Sequence, residues 1–62
     1  MIKEFDHVRI VSSGVTGVVV DISKTTGVII VESDGKGVPG GWGEDDSWKL
    51  FDCVESDLEV VK

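Results

Sequence analysis

Every apolar run in this chain is short, and each is stopped by glycine or a cluster of polar residues before it can grow into a helix of ordinary length. Valine and isoleucine fill these runs, and β-branched side chains suit a pleated, half-buried surface. The eight glycines and the single proline fall between the runs, where turns need them. The reading is therefore all-β, with no helix.

Five strands follow from the pattern. Asp6 to Val11 alternates with a period of two, Val8 and Ile10 on one face and His7 and Arg9 on the other. Ser12-Ser13-Gly14 breaks it. Gly17 then opens a second strand, read with Val18, Val20 and Ile22 inward. Lys24-Thr25-Thr26-Gly27 is a four-residue hairpin loop, with glycine where a left-handed conformation is commonly required. The third strand, Val28 to Glu32, is apolar on both faces and so should be central or covered. Residues 33–46 read as one long glycine-rich, acidic loop, and a loop of that length in so small a domain is usually functional or mobile. Ser47 to Cys53 is the fourth strand, read with Trp48 and Leu50 inward and Trp48 as a core residue. Val54 to Asp57 makes one tight turn, and a last short strand places Leu58 and Val60 inward.

At 62 residues the chain has room for one compact unit. A domain this small buries roughly 60% of the surface its unfolded chain exposes, so it depends on a well-formed core or on added staples. The single cysteine, Cys53, excludes an intrachain disulfide, and no Cys or His pair has zinc-site spacing. Core packing must carry the fold, with homo-oligomerisation as its available supplement. The start, Met1 to Asp6, lacks the features of a secretory signal, and no apolar run approaches the ~18 residues of a membrane span. Together with the lone thiol, this gives the expectation of a cytoplasmic protein with no membrane partner.

Charge is distributed unevenly. Residues 1–31 balance Glu4, Asp6 and Asp21 against Lys3, Arg9 and Lys24, so the whole net charge of −6 lies in the second half. There, nine acids face Lys36, Lys49 and Lys62. A protein that binds phosphate backbones needs a basic face to displace counterions, and this chain cannot assemble one of any size. Direct nucleic-acid binding is not expected.

The stretch Val8 to Ile22, in which one strand reaches Gly14 and Gly17 opens a valine-rich strand, followed by Val28 to Glu32, resembles the KOW-type SH3-like barrel pattern. The ending, Trp48 followed by Asp57-Leu58-Glu59-Val60, is similar to that of many short SH3-like proteins of bacteria and phages. The resemblance covers nearly everything but the loop and implies a small five-stranded SH3-like barrel. Closure of such a barrel removes the sheet edges that would otherwise aggregate. It implies no particular function, because this fold hosts many. KOW domains that bind RNA are basic, whereas this chain is acidic. Signalling SH3 domains use tyrosine-lined grooves, and this chain has no tyrosine. The plasmid-borne dihydrofolate reductase of similar fold builds its pore from a Val-Gln-Ile-Tyr stretch, and no glutamine is present here.

Other patterns carry less than they suggest. Gly35-Lys36-Gly37-Val38-Pro39-Gly40 spells a dinucleotide-binding fingerprint, but no helix follows to receive a pyrophosphate and the chain is too short for the rest of that fold, so no cofactor is expected. Glu32 and Asp34 on one side of the loop, with Glu44, Asp45 and Asp46 on the other, read as a solvated acidic rim, since the spacing is not that of a calcium loop. His7 is expected at the surface. Cys53, with no basic neighbour to activate it, is expected as a small buried hydrophobe. No constellation supports an enzyme. Trp42, isolated among Gly40, Gly41 and Gly43, has two placements open to it: folded back as a cap on the barrel, or presented to a partner.

These observations point to a non-catalytic protein-interaction module. Trp42, Asp34, Glu44, Asp45 and Asp46 are its candidate contact residues, and its partner is a protein that the sequence does not identify. The alternative is an acidic inhibitor of phage type that presents carboxylates where phosphates would lie and blocks a host protein's basic groove. Salt separates the two, because a decoy held by many charges weakens steeply as ionic strength rises.

Overall fold

The computed structural model describes residues 2–44 and 46–61. The chain forms β1 (His7–Ile10), β2 (Thr16–Ile22), β3 (Ile29–Lys36), β4 (Trp48–Cys53), a 3-10 turn (Glu55–Asp57) and β5 (Leu58–Val60). All five strands lie antiparallel in one sheet of order β4-β3-β2-β1-β5. β4 and β5 end the sheet and do not pair with each other, so hydrogen bonds do not close it into a barrel. The expected hairpin loop is present. Ser23 N–H donates to Val28, Gly27 N–H donates to Ser23, and Gly27 adopts φ 77°.

One inner face makes the core. Val8, Ile10, Val19, Ile29, Val31 and Cys53 are buried, and Ile2, Val15, Ile22, Phe51 and Leu58 pack against them. Three of these stand abreast: Val31 pairs with Val19 on one side and with Phe51 on the other. β3 is thus paired along both edges, as its two apolar faces required.

Two strands turn the opposite way from the simplest reading of their alternation. In β2 the inward residues are Gly17 and Val19. Val18 lies on the outer face and Val20 is exposed. A bulge between Val19 and Asp21 then restores the other phase and brings Ile22 inward opposite Ile29. In β4 the inward residues are Lys49, Phe51 and Cys53, and Trp48 is 51% exposed. Trp48 is therefore a surface residue and not part of the core. Val60, expected inward, pairs with Val8 but stays exposed at the last strand of the sheet, while Leu58 does pack on the core.

β3 also runs on to Lys36, into the segment read as loop. The ladder to β4 slips there, with Glu32 opposite Leu50 but Lys36 opposite Trp48. The slip would strand the Lys49 N–H in the interior. Ser33 prevents that, its buried hydroxyl oxygen accepting from Lys49 N–H at 3.0 Å while donating to the Gly35 carbonyl at 2.8 Å. A buried amide without a partner costs about 1–3 kcal/mol, so this serine keeps the bulge affordable.

Gly17 is where β2 passes closest to β3. A Cβ added there would overlap the Glu32 carbonyl oxygen and press on Val31, and backbone atoms cannot move aside as a flexible side chain would. Gly35 has open space around it. We expect Gly17→Ala to lose ~3 kcal/mol or more of unfolding free energy in a urea titration, and Gly35→Ala to stay within ~0.5 kcal/mol of wild type.

Candidate functional site

Residues opposite one another in a sheet share a face, so the register lays out the outer surface directly. One row crosses it through Trp42, Leu50, Glu32, Val18 and His7, each paired with the next. Trp48 and Asp52 flank Leu50 along β4 on the same side. The outer face of β3 and β4 therefore carries both tryptophans.

Trp42 reaches this face because its loop folds back over the free edge of β4. Trp42 and Leu50 exchange backbone hydrogen bonds of 2.9 Å in both directions, forming an isolated antiparallel bridge. Gly41 makes this approach possible. It adopts φ 65°, and any Cβ there would meet the Leu50 carbonyl and the Phe51 ring at 2.9 Å. The Trp42 indole N–H donates to Asp52 Oδ1 at 3.2 Å, which fixes the ring on the face while leaving the residue 55% exposed. Of the two placements open to it, Trp42 takes neither outright: it is anchored, and its ring remains on the surface. The Lys36 ammonium lies over the Trp48 ring, 4.5 Å from its centroid.

The acidic candidates do not share one element. Asp34 lies on β3, not in a loop, and its Oδ2 meets His7 Nε2 at 2.7 Å. His7 is at the surface, as its alternation indicated. Glu44 and Asp46 are exposed around the turn that leads into β4, where the Glu44 carbonyl accepts from Ser47 N–H and Oγ. Asp45 lies outside the described residues. Glu32 faces outward between Leu50 and Val18, and among the described residues it forms no ion pair. Among the described residues, no three His, Cys, Asp or Glu side chains converge as a cation site.

Among the described residues, two titrating groups are displaced from their ordinary range. Hydrogen bonds to His7, and then to Thr16, hold the Asp34 carboxyl below the usual carboxylate value, the wrong direction for a general base near neutrality. Burial, with Asp57 and Asp52 adding to it, pushes the Cys53 thiol up and keeps it protonated and inert.

An open cavity of about 560 Å³ lies elsewhere, at the hairpin end of β2 and β3, with Ile2, Ile22 and Ile29 among its lining residues. It includes neither tryptophan. The candidate site is accordingly a surface and not a pocket. No protein-family model matches the chain, and neither curated proteins nor solved structures give a match.

Sequence reasoning singled out Trp42, read Trp48 and Leu50 as inward, and drew attention to neither Lys36 nor Asp52. The signal was present. A buried Cys53 and a buried Trp48 cannot both belong to one regular strand, since positions five apart point to opposite faces.

Two outcomes follow from this geometry. Trp48→Ala should remain folded and lose less than ~1.5 kcal/mol in urea denaturation, where a core tryptophan would cost ~3–5 kcal/mol. The folded state also holds the Asp34 carboxylate more tightly than the unfolded chain does. Its contribution is complete above the ordinary carboxylate range and is lost as pH falls through the lowered folded-state value. Wild type should therefore exceed Asp34→Asn in stability at about pH 6, and the gap should narrow progressively as pH falls below the ordinary carboxylate range.

Proposed function

We propose that this chain is a non-catalytic protein-interaction module built on an open SH3-like sheet, acting in the cytoplasm. Its contact surface is the outer face of β3 and β4 with the loop that carries Trp42. The acids Asp34, Glu44 and Asp46 lie on its flank. The observation that carries this reading is the placement of two half-exposed tryptophans beside Leu50 on one face of the sheet. Exposed aromatic residues that the backbone holds in place are the usual anchors of binding energy, and small soluble proteins rarely leave them uncovered without use.

The alternative, a nucleic-acid decoy, needs a free array of carboxylates. Several of the acids are instead engaged within the chain: Asp34 with His7, Glu59 with Arg9 at 2.6 Å, Asp57 with Ser12 at 2.7 Å and Asp52 with Trp42. This favours a surface whose affinity comes from its aromatic rings.

The test is capture from lysate of the native host by immobilised wild type, Trp42→Ala and Trp48→Ala, at two salt concentrations. Both variants should give the wild-type β-type circular dichroism spectrum. Each should lose the captured protein, since truncating such an anchor costs at least ~2 kcal/mol of affinity, roughly a thirtyfold weakening. Salt should weaken capture only modestly. Capture that survives both substitutions and disappears with salt would assign the chain to the decoy class.

A further inference from the structure

We infer that the surface holding Trp42 and Trp48 recognises an arginine-bearing segment of a protein partner, whose guanidinium takes the place that Lys36 occupies on the Trp48 ring. This rests on the interaction-module reading and specifies the chemistry of its partner. The first ground is the contact already made: the Lys36 ammonium sits 4.5 Å from the Trp48 centroid, so the ring face accepts a cation in the free protein. The second is the charge around it. Glu32 and Asp52 bracket Leu50 on the same face, one across the ladder and one along the strand, and the chain as a whole carries −6. A cation arriving here meets carboxylates next to aromatic rings, and the field of the molecule steers it inward.

The third ground concerns what the rings leave available. The Trp42 indole N–H is already used on Asp52, so Trp42 offers its π-system and not a donor. A guanidinium matches this set better than an ammonium does. It is planar and weakly hydrated, it stacks on indole, and it keeps N–H groups free for a carboxylate in the ring plane. An arginine from a partner therefore competes with Lys36 on favourable terms, while Lys36 keeps the Trp48 ring covered until then. A second copy of this chain fits poorly, because apposing two such faces would bring the carboxylates of one toward those of the other.

The experiment is a titration of the 15N-labelled full chain at low salt with four blocked peptides, Gly-Arg-Gly-Arg-Gly, its lysine and glutamate counterparts, and a proline-rich peptide of equal length. The two indole N–H resonances are the readout, and the amide spectrum confirms that each variant is folded. The arginine peptide should move both indole signals saturably and bind more tightly than the lysine peptide. The glutamate and proline-rich peptides should leave the signals in place. Lys36→Met, which removes the resident cation, should tighten the arginine peptide roughly two- to fivefold, the equivalent of one exposed cation–π contact. Lys24→Met removes the same charge from the distant hairpin loop and should tighten it far less. Asp52→Asn keeps an acceptor for Trp42 but loses the charge, and should weaken it.

Equal effects of Lys36→Met and Lys24→Met would reduce the binding to net charge and overturn the inference. Indole signals that respond to the proline-rich peptide and not to arginine would overturn it while leaving the interaction-module reading intact. Signals that shift on dilution alone would give the face to a second copy and overturn it as well. If no peptide moves the indoles and lysate capture survives both tryptophan substitutions, both readings fail together.

Discussion

Val19, Val31 and Phe51 stand side by side on three neighbouring strands, and the direction in which this row points decides where nearly every other side chain goes. Side chains alternate along a strand with a period of two, so turning the row inward commits Trp48, Leu50 and Asp52 to the outside of β4 and Val18 to the outside of β2. A slip of one residue on β4 would bury Trp48 and Leu50 and expose Phe51 and Cys53. The row resists that slip because Val19 and Val31 are completely buried, and each fully buried valine contributes ~1.5–3 kcal/mol in a domain whose total stability is of that order or a few times larger.

The rest of the architecture adjusts to this row. Regular alternation from Gly17 would put Asp21 inward, and the bulge after Val19 inserts one residue so that Ile22 faces the core instead. Extending β3 to Lys36 requires a slip against β4, and the Ser33 hydroxyl occupies the gap and accepts from the Lys49 N–H. Glycine permits the closest approaches, at Gly17 between β2 and β3 and at Gly41 over the edge of β4. The second of these places Trp42 beside Leu50. The aromatic face is thus a consequence of core packing, assembled from the positions that the core leaves on the other side.

The strands and turns were readable from sequence because their signals are local. Val8 and Ile10 alternate cleanly with His7 and Arg9, Gly27 closes its hairpin as its position indicated, and residues 55–57 make the short turn. Which face of a strand turns inward was readable only where that alternation is clean. Val18-Val19-Val20 offers two equivalent phases, and the choice falls to Gly17, whose missing side chain lets β3 pass. In Trp48-Lys49-Leu50-Phe51, ranking by hydrophobicity favours Trp48 and Leu50. The long aliphatic stem of Lys49 nevertheless packs inward, and the residue is only 8% exposed. Of the candidate contact residues, Trp42 was legible as an aromatic residue with no strand to join. Its neighbours on the face were not, because they depend on a pairing between a glycine loop and the edge of β4 that no local pattern announces.

The phase of β4 is therefore the claim on which both the fold and the binding surface stand, and the protein carries two indoles with which to read it. The most direct measurement is tryptophan emission and acrylamide quenching of the folded wild-type chain. Both rings outside the core should give emission at the wavelength of a hydrated indole and a single linear quenching plot, with no class of fluorophore shielded from the quencher. A blue-shifted component that resists quenching in the folded protein and becomes accessible on unfolding would place a tryptophan in the interior and contradict the account.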